Sequence, residues 1–123
     1  MLPREIPRDE DVTVAMTDHY AATEPTRAEI DASKGPVLLE FGSVSCGWCI
    51  RAQSLLKPAF AQHPGVQHIK VEDGSGQPLG RSFGIKLWPT LVFLKDGREV
   101  TRLIRPARPQ EVAEAFNSVD QPA

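Results

Sequence analysis

The spacing of apolar and polar positions changes several times along the chain, and each change predicts an element. Val12, Val14 and Met16 alternate with Asp11, Thr13 and Ala15, a period-two pattern that predicts a short half-buried strand. Thr26 and Glu29 stand at capping-box spacing behind Pro25 and predict a helix over about 26–33, ended by Gly35-Pro36. Val37 to Phe41 is apolar except for Glu40, as in a central strand buried on both faces. A small-residue turn from Gly42 to Gly47 then opens a helix over about 47–62, which Pro58 is expected to kink or end. Val66, Ile69 and Val71 make a further strand, and Asp73 to Pro78 a loose loop. A short helix over about 78–83 stops at Gly84, a glycine suited to follow a helix end. Thr90 to Leu94 is another core strand, Lys95-Asp96-Gly97 a hairpin turn, and Glu99 to Ile104 the returning strand. Pro109 opens a last helix in which Val112, Ala115, Phe116 and Val119 fall at i, i+3, i+4 and i+7.

This order, β-α-β-α-β-α-β-β-α, predicts an α/β fold. Its central mixed sheet is flanked by helices, with parallel early strands joined by helical crossovers, then a C-terminal antiparallel hairpin and helix. The 123 residues suit one domain. Residues 1–10 carry two prolines and five charges and read as a flexible tail, 11–119 as the domain, and 120–123 as a second short tail.

Composition mainly excludes. A net charge of -2 argues against a nucleic-acid partner, because that affinity rests on clustered Lys and Arg. No apolar run approaches a membrane span, so no membrane partner is expected. The acidic, Pro-broken N-terminus has no apolar core of a signal peptide, and a cytoplasmic location is expected; a periplasmic one would require that an export signal had been removed. Two cysteines make neither a disulfide scaffold nor a four-Cys zinc site.

Their placement is what carries chemistry. Cys46-Gly47-Trp48-Cys49 follows a buried strand and opens a helix, where unpaired backbone N–H groups and the helix dipole stabilise a thiolate. Cys46, at the tip, is the expected nucleophile. Cys49, one turn later and deeper, is the expected resolving thiol that attacks a mixed disulfide on Cys46. Two inert core cysteines are a poor fit to a Gly/Ser-rich turn. Cys46-x2-Cys49-x13-His63-x4-His68 also matches a zinc-finger spacing, but Pro64-Gly65 breaks any helix that would carry both histidines, and no metal is expected.

These residues resemble the thioredoxin family. The likeness is carried by Glu40-Phe41, Ser45-Cys46-Gly47-Trp48-Cys49 and the stretch Phe83 to Leu91 containing Trp88-Pro89-Thr90, and it covers roughly residues 12–119. It implies a thioredoxin fold and a thiol-disulfide oxidoreductase acting in the reducing direction on disulfide-containing client proteins. It further implies a monomer, recycled by a separate reductase, with no cofactor beyond the Cys46–Cys49 disulfide. It implies a cis Pro89 beside the cysteines and a Trp88 backbone that pairs with an extended client, a contact surface that also takes in Gly47 and Trp48. Glu40 holds the place of the family's buried acid, one methylene longer than the usual Asp, and is the candidate proton acceptor for Cys49, since burial disfavours a charged carboxylate.

Several positions depart from the family pattern. Trp48 stands where Pro is usual, Ser45 and Gly42 where tryptophans are usual, Ser54 where a helix-kinking proline is usual, and Arg105 where a client-facing glycine is usual. His68 falls near the place of a buried lysine beside the acid. Arg51 is either a surface cation on the exposed helix face or close enough to the helix start to favour a thiolate, and Arg105 and Arg108 are read as solvated surface charges, with a bias of clients towards acidic segments as the less favoured alternative. The rival readings are a non-catalytic peptide-binding module built on Trp48, Trp88 and Pro89, and, less favoured, the zinc site.

Overall fold

The computed structural model describes residues 16–120. Its elements run α1 (Arg27–Asp31), β1 (Pro36–Gly42), α2 (Gly47–Gln62), β2 (Gln67–Glu72), α3 (Pro78–Ser82), β3 (Thr90–Lys95), β4 (Arg98–Ile104) and α4 (Pro109–Val119). The expected first strand falls mostly on residues outside this range. Its last residue, Met16, is described, has no regular structure and packs against the core. The expected tail at 1–10 lies outside the described residues, as does the expected tail at 120–123 except for Asp120, which is the C-cap of α4 and lies against His63.

The four strands form one mixed sheet in the order β2-β1-β3-β4. β1 pairs parallel with β2, and both β1–β3 and β3–β4 are antiparallel. The two central strands, β1 and β3, are almost wholly buried, which is why they read as continuous apolar runs rather than alternating ones.

The period-two geometry of β1 and β3 sorts the core onto two faces. Leu38, Leu91 and Phe93 point towards α2 and α4, where they pack with Leu56, Phe60, Val112 and Phe116. Val37, Leu39, Phe41, Val92 and Leu94 point the other way, against Ile30, Leu79 and Phe83 of the α1 and α3 side. Glu40 is in phase with Leu38. The alternation therefore turns a carboxylate inward beneath α2 rather than out to solvent.

Local signals in the sequence act as expected. Thr26 Oγ1 accepts from Glu29 N–H at 3.0 Å and Glu29 Oε1 accepts from Thr26 N–H at 2.9 Å, a complete capping box. Asp96 and Gly97 both have positive φ, 52° and 81°, as a two-residue type I′ hairpin requires. Gly97 also lies against the backbone carbonyl of Asp31, leaving no room for a Cβ. Pro58 does not end α2, which continues to Gln62. Ser54, whose carbonyl loses its helical partner, is exposed, so water can serve it. No helix among the described residues is long and apolar enough to cross a membrane.

Candidate active site

The site is built where β1 hands over to α2. Cys46 is the N-cap of α2 and its Sγ accepts a hydrogen bond from Cys49 N–H at 3.1 Å. A helix start presents such unpaired N–H groups, so a negative sulfur here has a donor aimed at it. Cys46 is half-buried, whereas Cys49 is 2% exposed. The two form a disulfide across one helical turn, with Cα atoms 5.2 Å apart. Gly47, the first helical residue, has open space where a Cβ would be, which leaves the approach to Cys46 clear.

Cys49 is enclosed from the strand side. A Cβ on Gly42 would lie 2.6 Å from Cys49 Sγ and 3.1 Å from the Tyr20 hydroxyl. The absence of a side chain at position 42, one of the family departures, is thus a packing necessity in this chain. Tyr20 fills the neighbouring space and donates to Ser43 O at 3.1 Å. Burial, reinforced by the negative charges of Glu40 and Glu72, pushes the Tyr20 phenol up to about 12.

Beneath the disulfide lies a polar cluster in an otherwise apolar core. Glu40 is fully buried. Its Oε1 lies 2.7 Å from His68 Nε2 and its Oε2 accepts from Gln53 Nε2 at 2.9 Å. The tautomer of His68 follows from its other nitrogen. Thr17 N–H donates to Nδ1 at 3.1 Å, so Nδ1 is an acceptor, and Nε2 carries the hydrogen given to Glu40. Gln53 Nε2 also donates to Cys49 O at 2.9 Å, so this one amide bridges the carboxylate and the backbone of the resolving cysteine. Among the described residues no hydrogen bond joins Glu40 to Cys49 Sγ directly. Lys70 is the register neighbour of Glu40 on β2, is 6% exposed, and places its ammonium 4.7 Å from the Tyr20 ring centre.

The other side of the site is the loop before β3. The Trp88–Pro89 peptide bond is cis and Pro89 is buried. The Trp88 indole donates to Asp73 Oδ2 at 2.9 Å, which turns the ring towards the β2–α3 loop. Trp48 is 47% exposed and is in reach of two cations: Arg51 Cζ is 5.0 Å and Arg105 Cζ 5.2 Å from its ring centre. Arg105 Nε in turn donates to Trp88 O at 2.8 Å. Arg105 thus ties the proline loop to the Cys46–Cys49 loop.

A thioredoxin family model matches residues 18–118. The chain belongs to the thioredoxin family. It is 36% identical to a thioredoxin of Chlamydia muridarum over 73 residues, which span 58% of this chain and 71% of that protein. It is 28% identical to a thioredoxin of Mycolicibacterium smegmatis over 99 residues, 78% of this chain and 84% of that one. Among solved structures, thioredoxin 2 from Pseudomonas aeruginosa PAO1 in its reduced form superposes with a TM-score of 0.76 at 53% identity, covering 85% of this chain and 96% of that one. This thioredoxin is therefore a thiol-disulfide oxidoreductase with a Cys46–Cys49 dithiol/disulfide pair, a protein-disulfide reductase rather than a passive binding module. Thioredoxins need no cofactor beyond that disulfide. Of the zinc-spaced histidines, His68 is held by Glu40 and His63 by Asp120, whose Oδ2 lies 2.6 Å from His63 Nδ1. Among the described residues no group of three or more His, Cys, Asp or Glu could hold a metal.

Sequence reading named Cys46, Cys49, Glu40, Gly47, Trp48, Trp88 and Pro89. The structure gathers Cys46, Gly47, Trp48 and Cys49 on the first turn of α2, brings Glu40 under that turn through Gln53, and links Trp88 to Trp48 through Arg105. It adds Gln53, Tyr20 and Lys70. Gln53 had a signal, lying four residues after Cys49 and hence on the same helix face. Tyr20 had none, because its approach is set by a segment without periodicity.

Proposed function

We propose that this thioredoxin reduces client disulfides with Cys46 as the attacking sulfur, Cys49 as the resolving one and Glu40 as the proton acceptor for Cys49. The observation that carries this reading is the unequal placement of the two sulfurs: Cys46 half-exposed at the helix N-cap with an N–H aimed at it, Cys49 buried behind it. In the dithiol form the Cys46 thiolate attacks one sulfur of a client disulfide, and the other client sulfur leaves as a thiolate that takes a proton from solvent. Cys49 then gives its proton towards Glu40 and attacks Cys46 Sγ. The client's second thiolate leaves, two electrons have passed to the client, and the Cys46–Cys49 disulfide remains. A thioredoxin reductase returns the electrons.

Glu40 is placed for this role because it is fully buried beneath the turn that carries Cys49, and the Gln53 amide that donates to its Oε2 also donates to Cys49 O. Because no direct bond joins it to Cys49, the proton crosses by a small shift of Gln53 or through a water. Gly47, Trp48, and the backbone of Trp88 beside Pro89 form the client contact surface. The protein acts as a monomer in the cytoplasm, where thiol reductants can keep the pair reduced.

Insulin reduction with a thioredoxin reductase and a nicotinamide reductant tests the reading. Wild type is expected to turn over and Cys46→Ser to be inactive, while Cys49→Ser accumulates a client mixed disulfide. A wild type no faster than the Cys46→Ser, Cys49→Ser double variant overturns it.

A further inference from the structure

Three features around Trp48 are not needed for disulfide exchange. First, Arg105 has a φ of 50°, a left-handed conformation that favours glycine. A bulky residue held there is strained and persists only where its surroundings fix it. Its backbone N–H donates to Pro89 O at 3.0 Å and its guanidinium to Trp88 O at 2.8 Å, so backbone and side chain are both anchored to the proline loop. Second, Arg51 and Arg105 both lie against the half-exposed indole of Trp48, which stands between the two cysteines in sequence. Third, neither guanidinium has a carboxylate partner among the described residues, whereas Arg27, Arg102 and Arg108 each do. Two cations without a carboxylate partner among the described residues thus lie by Trp48, the residue before Cys49, in a protein whose net charge is -2.

We propose that Arg105, with Arg51, selects clients bearing an aspartate or glutamate beside the target disulfide, and that Arg105 holds the Trp88 carbonyl until such a client arrives. This rests on the reductase reading above. Trp88 O is the acceptor an extended client would use to pair with this loop. A carbonyl has two lone pairs, so a client N–H must share or displace the Arg105 donor. An acidic side chain offers the guanidinium a bidentate, charge-assisted partner in exchange for one bond to a neutral carbonyl. A neutral client offers no such exchange, and a basic one meets repulsion from two like charges.

The test uses three disulfide-bearing peptides that differ only in one residue next to the target cysteine: Glu, Gln or Lys. The readout is the ratio of kcat/KM for the Glu peptide to that for the Lys peptide within each variant, so any change common to all clients cancels. Wild type is expected to favour the Glu peptide by about five- to tenfold at low ionic strength, shrinking towards twofold at 1 M salt, where the Debye length is about 3 Å. Arg105→Gly suits the φ of that position and is expected to fold at least as well as wild type while cutting the ratio to twofold or less. Arg105→Lys keeps charge but loses the fork, and an intermediate ratio is expected. Equal rates on all three peptides in wild type overturn the selectivity, as does an Arg105→Gly variant that keeps the full ratio. Failure to reduce even the Gln peptide would overturn the reductase reading itself.

Discussion

Gly42 offers the sharpest check on how the site is packed. Gly42→Ala adds a single methyl group. The backbone at this strand end is not left-handed, so alanine meets no conformational penalty and would gain up to about 1 kcal/mol from reduced freedom of the unfolded chain. The steric term opposes this. The new Cβ lies 2.6 Å from Cys49 Sγ and 3.1 Å from Tyr20 Oη, whereas Cβ contacts are ordinarily at or beyond 3.4 Å. Cys49 sits on the first turn of α2, anchored by Cys46, by Gln53 and by core packing, so the sulfur cannot simply swing away. Inserting a methyl group into a filled core costs about 1–3 kcal/mol. The steric term therefore wins by about 1–2 kcal/mol. For a domain of this size that lowers Tm by roughly 4–10 °C, readable by calorimetry on the oxidised protein. Because the clash falls on the resolving sulfur, single-turnover resolution of a trapped mixed disulfide should slow as well, while the initial attack by Cys46 is less affected. A Tm within 1 °C of wild type with an unchanged resolution rate would refute the packing argument.

Glu40→Gln keeps the shape of the side chain but removes its ability to take a proton, and the resolution step is expected to slow by about 10²-fold, the lower end of general-base contributions because the contact with Cys49 is indirect; a stopped-flow trace showing unchanged resolution would exclude the role. Tyr20 is the single tyrosine of the chain, so ultraviolet absorbance reports it alone, and its ionisation midpoint should lie near 12 rather than 10. Since the unfolded chain loses that proton first, stability falls as pH rises from 10 to about 12, by roughly 1 kcal/mol after allowing for the group's partial exposure, and Tyr20→Phe should lose this alkaline slope in denaturant titrations. Thr26→Ala breaks the capping box of α1 and should cost about 1 kcal/mol, seen as a lower urea midpoint with unchanged insulin reduction.

The elements were legible where local rules act alone. The Thr26–Glu29 pair, the Asp96-Gly97 turn and the Val112, Ala115, Phe116, Val119 stripe each specify their structure within a few residues, and each appears as expected. Pro58 was a weaker guide, because burial of Leu56 and Phe60 on either side holds α2 together despite the lost hydrogen bond. His68 was placed near the acid, but the register neighbour of Glu40 is Lys70; His68 reaches the carboxylate diagonally from its place opposite Leu38.

By itself the sequence determined the α/β order, the two cysteines at a helix start, the acid in the central strand and the proline before β3, since all of these are written in spacing and residue type. Tertiary structure alone decided how they meet. Only the folding of β1 under α2 puts Gln53 between Glu40 and Cys49, only the packing of residue 20 against the strand end makes a glycine necessary at 42, and only the approach of the β4–α4 loop to the proline loop lays Arg105 across Trp48 and Trp88. The physical reason is range: periodicity and capping act over a few residues, whereas the deciding contacts, Glu40–Gln53 and Trp88–Arg105, join residues 13 and 17 positions apart, through a sheet order that no local pattern encodes.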